Sequence, residues 1–309
     1  MPNSPQKYLV TVAGPTAVGK TALAIQLAND LHTEIISADS RQFFRELSIG
    51  TAKPTPEELA RATHHFVDSH SISEPYSAGD FERDALALLD TLFQKYNVVV
   101  MTGGSGFYVR AVLEGLDELP APLPGLRESL TRQLEEHGLA VLQEQIRKID
   151  PDFAATPEIA NPQRVVRALE VFHTSGTPIS HFKLKNTRQR PFQPINIALD
   201  RDRAELYRRI DERMDIMLQE GLVEEAKSVI AYREHHALKT VGYREVYSYL
   251  DGEYDEQEMV RLLKQNSRRY AKRQLTWFRH QGNFEWFHPG DYDRILEYVR
   301  EQIHLHESN

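Results

Sequence analysis

Eight residues near the N-terminus form a phosphate-binding sequence. Gly14-Pro15-Thr16-Ala17-Val18-Gly19-Lys20-Thr21 matches the pattern GxxxxGK[ST] at every fixed position. In such a loop, backbone N–H groups surround an anion at a helix N-terminus, the lysine adds charge, and the final hydroxyl reaches a phosphate-bound Mg²⁺. The loop therefore predicts a site for two or three linked phosphates. The alternative is a glycine-rich turn that binds nothing.

A carboxylate is predicted to lie close to this loop. Residues 34–40, Glu34-Ile35-Ile36-Ser37-Ala38-Asp39-Ser40, form a short apolar stretch that ends in polar side chains. Ligands of open parallel sheets bind beyond the C-terminal ends of the strands, so Asp39 and Ser40 are expected to face the same crevice as the loop. A helix cap or a turn is the alternative role for Asp39.

Three arginine-rich stretches could meet phosphates. Arg209 and Arg213 are four residues apart and share a helix face, as do Arg164 and Arg167 in their own helix. Residues 261–279 contain seven basic residues and no acidic one. A helical projection places Arg261, Lys264, Arg268, Lys272 and Arg279 on one side, opposite Leu263, Tyr270 and Trp277. A basic helix with aromatic neighbours suits an RNA backbone, although a solvated charged face is the alternative for all three stretches.

These side chains need a scaffold, and the sequence predicts a parallel sheet. Buried strands are predicted at Tyr8–Ala13, 34–40, 97–101 and 194–199, alternating with helical patterns. The third strand is followed by residues 102–108, Thr102-Gly103-Gly104-Ser105-Gly106-Phe107-Tyr108. Its three glycines would let a ligand approach the backbone, unless the segment is only a flexible turn.

The region between residues 116 and 190 carries helical patterns without a strand signal. One of its helices is predicted to begin with Asn161 as the cap and Pro162 in the first turn. The expected fold is therefore α/β, with a P-loop NTPase-like parallel sheet flanked by helices and an inserted all-helical domain. The catalytic core is predicted to comprise residues 1–115 and 191–309, and the insertion residues 116–190.

Composition narrows the functional classes. The 309 residues include no cysteine, which excludes disulfides, thiol catalysis and cysteine-ligated zinc. The formal net charge of −8 argues against indiscriminate nucleic-acid binding. No apolar run is long enough to span a bilayer, and residues 1–5 lack the apolar core of a signal peptide. We therefore expect a cytoplasmic protein that does not associate with membranes and is monomeric.

Taken in order, several segments resemble the tRNA dimethylallyltransferase family, also called tRNA isopentenyltransferase or IPP transferase. The resemblance covers nearly the whole chain. Phe44, Ser105 and Phe107 stand where the family usually has tyrosine, threonine and leucine. The matching segments are 14–21, 37–42, 49–54, His64-His65, 103–106, 161–170, 241–245 and 270–274.

The resemblance implies transfer of a dimethylallyl group from dimethylallyl diphosphate to N6 of the adenosine 3′ to the tRNA anticodon. Asp39 would be the base that accepts the N–H proton. Lys20, a Mg²⁺ ion on Thr21 and Arg213 would stabilise the departing pyrophosphate, with Arg209 as the alternative arginine. By resemblance, tRNA is contacted by Asp39, Ser40, Arg41, Gln42, Ser105, Arg127, Gln163, Arg164, Val165, Val166, Arg167, Lys239, Thr240, Val241, Gly242, Tyr243, Arg244, Lys272 and Arg273.

Three other functions use the same phosphate loop. A small-molecule kinase would transfer phosphate from ATP but would leave the basic helix without a purpose. A prenyltransferase acting on free adenine nucleotide would not need the helical insertion. A nucleotide-gated RNA-binding protein would leave Asp39 without a role.

Overall fold

A computed structural model describes residues 6–183 and 188–307. The N-terminal stretch considered for a signal peptide, residues 1–5, lies outside this part. The described residues divide into two compact units, one formed by 6–114 with 189–307 and the other by 115–183 with Arg188. None of the described helices combines the length and the apolarity needed to cross a bilayer.

The first unit is built on a parallel sheet. Its strand order is β3-β2-β4-β1-β5-β6, and each neighbouring pair runs parallel. The strands are β1 (Tyr8–Ala13), β2 (Ile35–Ser37), β3 (His64–His65), β4 (Val98–Gly103), β5 (Gln193–Leu199) and β6 (Glu285–Phe287). Because the strands are parallel, their C-terminal ends meet at one edge, and the segments that follow β1, β2 and β4 converge there.

Helices cover the sheet and form the second unit. In chain order they are α1 (Lys20–Asp30), α2 (Pro56–Arg61), α3 (Ala78–Leu92), α4 (Gly106–Glu114), α5 (Leu126–His137), α6 (Leu139–Ile149), α7 (Pro151–Ala154), α8 (Pro162–Ser175), α9 (Arg203–Gln219), α10 (Leu222–Ser228), α11 (Tyr243–Leu250), α12 (Glu256–His280) and α13 (Tyr292–Glu307). The second unit contains α5 to α8 and no strand among its described residues. The predicted α/β fold class is confirmed.

The period-two alternation of β1 places its side chains in two cores. Tyr8, Val10 and Val12 pack with α1 and α13 on one face of the sheet. Leu9 packs with α3 and α4 residues on the other face. A third cluster joins α9, α10, α11 and α12. This last cluster positions the helices that line the site.

Local signals account for several boundaries. The Asn161 side chain accepts hydrogen bonds from the Gln163 and Arg164 N–H groups, so the predicted cap of α8 is confirmed. The turn predicted at 102–108 is too long at both ends, because β4 extends to Gly103 and α4 begins at Gly106. A Cβ at this glycine would lie 2.2 Å from the Trp277 ring, which explains the residue type better than flexibility does.

Candidate active site

The phosphate loop joins β1 directly to α1. Gly14 and Gly19 have φ values of 145° and 117°, which an L side chain rarely adopts. A Cβ at Gly14 would also lie 2.9 Å from the Leu199 carbonyl oxygen. Gly19 caps α1 without a side-chain hydrogen bond. The first N–H groups of α1 therefore remain available to an anion, as the sequence pattern requires.

A cavity of about 130 Å³ brings the predicted chemical groups together at the C-terminal edge of the sheet. It is lined by phosphate-loop residues, by the segment after β2, and by α9, α12 and the turn before α11. Its polar lining includes Thr16, Lys20, Thr21, Asp39, Arg41, Gln42, Thr51, Arg213, Thr240, Tyr270 and Gln274. We call it the reaction cavity.

Lys20 lies in this cavity in a strongly desolvated position. Its Nζ donates a hydrogen bond to the Pro15 carbonyl at 2.8 Å. Burial lowers the pKa of Lys20 from 10.5 to about 8, Asp39 opposes this shift, and the charge of Arg213 adds to it. The amine is therefore mostly protonated below about pH 8 and mostly neutral above it.

This pKa predicts that anion binding depends on pH. We expect pyrophosphate to bind about tenfold more weakly at pH 9 than at pH 7, because the neutral Lys20 must first take up a proton. Calorimetric titration at both pH values, with Mg²⁺ held constant, measures the difference. A Lys20→Met variant controls for the titration of pyrophosphate itself. Parallel profiles for the wild type and the variant would contradict the prediction.

Asp39 follows β2 and lines the reaction cavity. Its Oδ1 accepts the Arg41 N–H at 3.0 Å, which fixes the orientation of the carboxylate. Its negative charge acts on Lys20 and on Arg213, which line the same cavity. The carboxylate therefore lies within the electrostatic field of two cations and close to the anion-binding loop.

The structure distinguishes the two arginines of α9. Arg209 Nε donates to the Ala17 carbonyl at 2.9 Å and so binds the back of the phosphate loop. Arg213 lines the reaction cavity, and its Nη1 lies 3.4 Å from Thr16 Oγ1. Burial lowers the pKa of Arg213, while Asp39 opposes that shift. The geometry thus favours Arg213 as the group that meets an anion in the cavity.

Gln274 connects the loops around the cavity, a role that the sequence pattern did not reveal. Its Oε1 accepts the Thr16 N–H and its Nε2 donates to the Gly104 carbonyl, both at 2.9 Å. A Cβ at Gly104 would lie 2.4 Å from this Nε2. One amide therefore joins α12, the phosphate loop and the turn after β4. Only its place in the family-like segment 270–274 marked this residue.

The sequence pattern also did not reveal the role of Glu225. Its two carboxylate oxygens accept the N–H groups of Ser48, Ile49 and Gly50 and the hydroxyl of Tyr243. These bonds hold the loop whose next residues, Thr51 and Ala52, line the reaction cavity.

Tyr243 is fully buried and its hydroxyl donates to Glu225, while its predicted contact with tRNA stays a prediction. Its ring fills the space that a Cβ at Gly50 would occupy, at 2.6 Å. Nearby Thr240, Val241 and Gly242 line the cavity, whereas Lys239 forms an ion pair with Glu234 at 2.9 Å.

The basic face predicted for α12 is largely neutralised within the protein. Lys264 and Arg268 form ion pairs with Asp215 and Asp211 of α9. Arg279 pairs with Asp200, and Arg261 with Glu258. Four of the five cations predicted for this face are therefore paired within the protein, three with acidic residues on other segments and one with Glu258 of α12 itself.

Lys272 of the predicted face and two other α12 cations remain open. Arg269, Lys272 and Arg273 are exposed, and Arg244 of α11 is exposed beside them. In the ranges 6–183 and 188–307, none of the four forms a salt bridge. Arg244, Arg269 and Arg273 line a depression of about 400 Å³ together with Val241, which also lines the reaction cavity. We call this depression the arginine pocket.

In the second unit, the arginines predicted to contact tRNA form ion pairs with glutamates of the same unit. Arg127 and Arg167 both bind the carboxylate of Glu170, whose side chain is fully buried. Arg164 pairs with Glu158 at 2.7 Å. Val165 and Val166 are buried in the core of this unit, and their predicted contact with tRNA stays a prediction. Gln163 remains exposed at the start of α8.

Two hydroxyls connect the ends of β2 and β4. The Ser40 N–H donates to Ser105 Oγ, and Ser105 Oγ donates to Ser40 Oγ, both at 3.0 Å. Gln42 extends this linkage because it contacts Ser37 Oγ at 3.1 Å and donates to the Ala52 carbonyl at 3.1 Å. The predicted polar segment after β2 is thus held in one conformation beside Asp39.

The oxygen atoms of the cavity suit a hard divalent cation. The Thr21 hydroxyl and the Asp39 carboxylate both line it. Within the described part of the chain, no group of three or more histidine, cysteine or acidic side chains could hold a metal ion. A cation here would therefore need phosphate oxygens and water to complete its coordination.

Comparison with known proteins places this geometry in a family. A model of the IPP transferase family matches residues 42–281. The tRNA dimethylallyltransferase of Cytophaga hutchinsonii is 53% identical over 297 residues, which cover 96% of this chain and 98% of that protein. The chain belongs to the IPP transferase family. The resemblance seen in the sequence is confirmed.

Further IPP transferases match over similar lengths. The tRNA dimethylallyltransferase of Christiangramia forsetii is 46% identical and covers 96% of this chain and 98% of its own. The solved tRNA isopentenylpyrophosphate transferase of Bacillus halodurans is 35% identical with a TM-score of 0.73, covering 98% of this chain and 99% of that one. The match to the family model begins at Gln42 and so does not include the phosphate loop or Asp39. The roles proposed for these residues therefore rest on the geometry of the reaction cavity.

Proposed function

We propose that the chain transfers a dimethylallyl group from dimethylallyl diphosphate to N6 of the adenosine 3′ to a tRNA anticodon. One observation carries this proposal: a carboxylate, Asp39, shares a small cavity with the phosphate loop and Arg213. The tRNA dimethylallyltransferases that this chain resembles at 53% and 46% identity support the same reaction. The catalysed step needs one site for a diphosphate and one acceptor for a proton, and the cavity offers both.

The reaction follows from the chemistry of the two partners. The lone pair of an exocyclic adenine amine is delocalised, so its attack on the allylic C1 benefits from proton removal. The N6–C1 bond forms while the bond between C1 and the diphosphate oxygen breaks. Asp39 accepts the N6 proton, and pyrophosphate leaves into the loop between Gly14 and Thr21. Lys20 and Arg213 stabilise the charge that develops on the leaving group.

Magnesium is the proposed cation because its preferred ligands are oxygens and phosphates. Thr21 would hold it, together with diphosphate oxygens and water. When bound, Mg²⁺ would neutralise charge on the departing diphosphate.

The arginine pocket supplies the proposed contact with the RNA backbone. It adjoins the reaction cavity at Val241, so an RNA strand with one base in the cavity would bring a neighbouring phosphate to Arg244, Arg269 or Arg273. An unpaired loop base costs little to extrude, which suits the anticodon loop as the acceptor. In the second unit, exposed Gln163 and Arg164 are the proposed contacts. We propose a monomer as the active form.

The open arginines predict a specific salt dependence. Replacing Arg269 with alanine is expected to raise the Kd for tRNA and to reduce the slope of log Kd against log salt by about one, because one phosphate contact is lost. Arg261→Ala is the matched control, since Arg261 is exposed on the same helix but paired with Glu258. Filter binding across a salt series measures both slopes. Equal slopes for the two variants would contradict the role of the pocket.

A product assay tests the whole proposal. The protein is mixed with Mg²⁺, dimethylallyl diphosphate and tRNA that lacks the modification, and digested RNA is examined for N6-dimethylallyladenosine by mass. Parallel reactions contain AMP or ATP as acceptors. Product on tRNA alone supports the proposal. Product on free nucleotide would identify a nucleotide prenyltransferase, and ATP turnover without prenyl transfer would indicate a kinase.

A further inference from the structure

The reaction cavity has an apolar wall that the diphosphate site leaves unexplained. Ile210, Met214 and Met217 follow one another along α9 at helical spacing and line the cavity beside Arg213. Leu222, at the start of α10, completes this wall. All four side chains are at most 8% exposed. A donor held at its diphosphate by Lys20 and Arg213 would therefore place its hydrocarbon tail against these residues.

A second depression lies on the far side of this wall. It measures about 460 Å³ and is bordered by apolar side chains that include Ile49, Leu59 and Ile216. Met217, Arg213 and Ala52 line both this groove and the reaction cavity. Of these three, only Met217 has a long apolar side chain. It is 6% exposed, whereas its neighbour Ile216 is 52% exposed.

The border of the groove carries four charged residues, Lys53, Asp68, Arg213 and Glu220, around its apolar side chains. Lys53 and Asp68 line the groove but form an ion pair with each other. Lys53 Nζ also donates to the Phe44 carbonyl at 2.6 Å. The apolar side chains of the groove could contact a hydrocarbon tail that reached them. Met217 lies between the reaction cavity and this groove.

We propose that Met217 sets the chain length of the prenyl donor by closing the reaction cavity against this groove. The inference rests on the proposed prenyl transfer and names a residue that selects among allylic diphosphates. With methionine at this position, the five-carbon tail of dimethylallyl diphosphate fits against the wall. The ten-carbon tail of geranyl diphosphate would have to pass through the space that the Met217 side chain fills.

Shortening this side chain tests the inference. Met217→Ala should connect the two spaces and raise the ratio of ten-carbon to five-carbon transfer by about tenfold or more over the wild type, in line with the selectivity of apolar pockets. Both donors are present in one reaction with unmodified tRNA, and the two prenylated adenosines are counted by mass. Because the donors compete for the same folded molecules, the ratio does not depend on how much of the variant folds.

Two further variants keep the test decisive. Met217→Val removes less volume and should shift the ratio in the same direction if the alanine variant does not fold. Met259→Ala is the matched control, because Met259 is buried in the same apolar cluster but lines neither the cavity nor the groove. An unchanged ratio in both Met217 variants, with five-carbon transfer still measurable, would overturn the role of Met217.

Failure of this inference can be told apart from failure of the proposed function. If the wild type forms no prenylated adenosine from dimethylallyl diphosphate, the proposed function itself is wrong. If the wild type is active and Met217→Ala raises the KM for tRNA without changing the donor ratio, Met217 contacts the acceptor base instead, and the inference fails alone.

Discussion

Asp39→Asn is expected to lower kcat for prenyl transfer by about 10²–10⁴-fold while binding of both substrates persists. The carboxamide keeps the shape of the side chain, and its oxygen can still accept the Arg41 N–H that orients Asp39 in the wild type. It cannot take the proton from the adenine amine. Single-turnover transfer to tRNA measures the chemical step, and filter binding measures the affinity for tRNA.

A surface aspartate provides the control for this variant. Asp90→Asn changes the same group on the exposed side of α3 and should leave kcat unaltered. A loss of tRNA binding equal to the loss of turnover would assign Asp39 to RNA recognition. Turnover equal to that of the wild type would show that another group accepts the proton.

The sheet could be predicted because its main strands have local signals. The apolar run of β1 is buried on both faces of a parallel sheet, and its predicted bounds, Tyr8–Ala13, agree with the structure. β3 has only two residues, His64 and His65, which form a strand because they pair with β2 at the sheet edge. Such a short polar segment has no pattern of its own, so its structure depends on a neighbour distant in sequence.

The active site likewise contains some residues that the sequence reveals and others that only the structure reveals. Lys20 and Thr21 belong to a contiguous loop whose function is encoded in its spacing, and Asp39 follows a strand that the sequence reveals. Gln274 and Glu225 act on backbone groups 170 or more residues away along the chain. A pattern confined to one helix contains no information about such partners.

The basic helix shows the limit of single-helix reasoning. Projection of α12 correctly groups Lys264 and Arg268 on one side, but it cannot show that Asp215 and Asp211 of α9 lie opposite them. An ion pair satisfies a cation as well as a phosphate would. The surface proposed to contact RNA is therefore the one whose cations are unpaired after the helices pack.

Arg213→Gln is expected to reduce kcat by about 10²–10³-fold, because it removes one preorganised cation from the departing pyrophosphate. Arg213 lines the reaction cavity and its guanidinium contacts Thr16 of the phosphate loop. The charge on the bridging oxygen is greatest as the C1–O bond breaks, so kcat should fall more than the affinity for dimethylallyl diphosphate. Rapid-quench turnover and equilibrium binding of the donor separate the two effects.

The same helix carries the control for this loss. Arg208→Gln removes an exposed arginine that pairs with Glu212 and should leave kcat close to the wild-type value. Arg213→Lys restores the charge but not the planar pair of donors, so it should recover only part of the rate. If Arg213→Gln instead weakened donor binding as much as it slowed turnover, the arginine would stabilise the ground state equally. Its contribution would then be to binding rather than to catalysis.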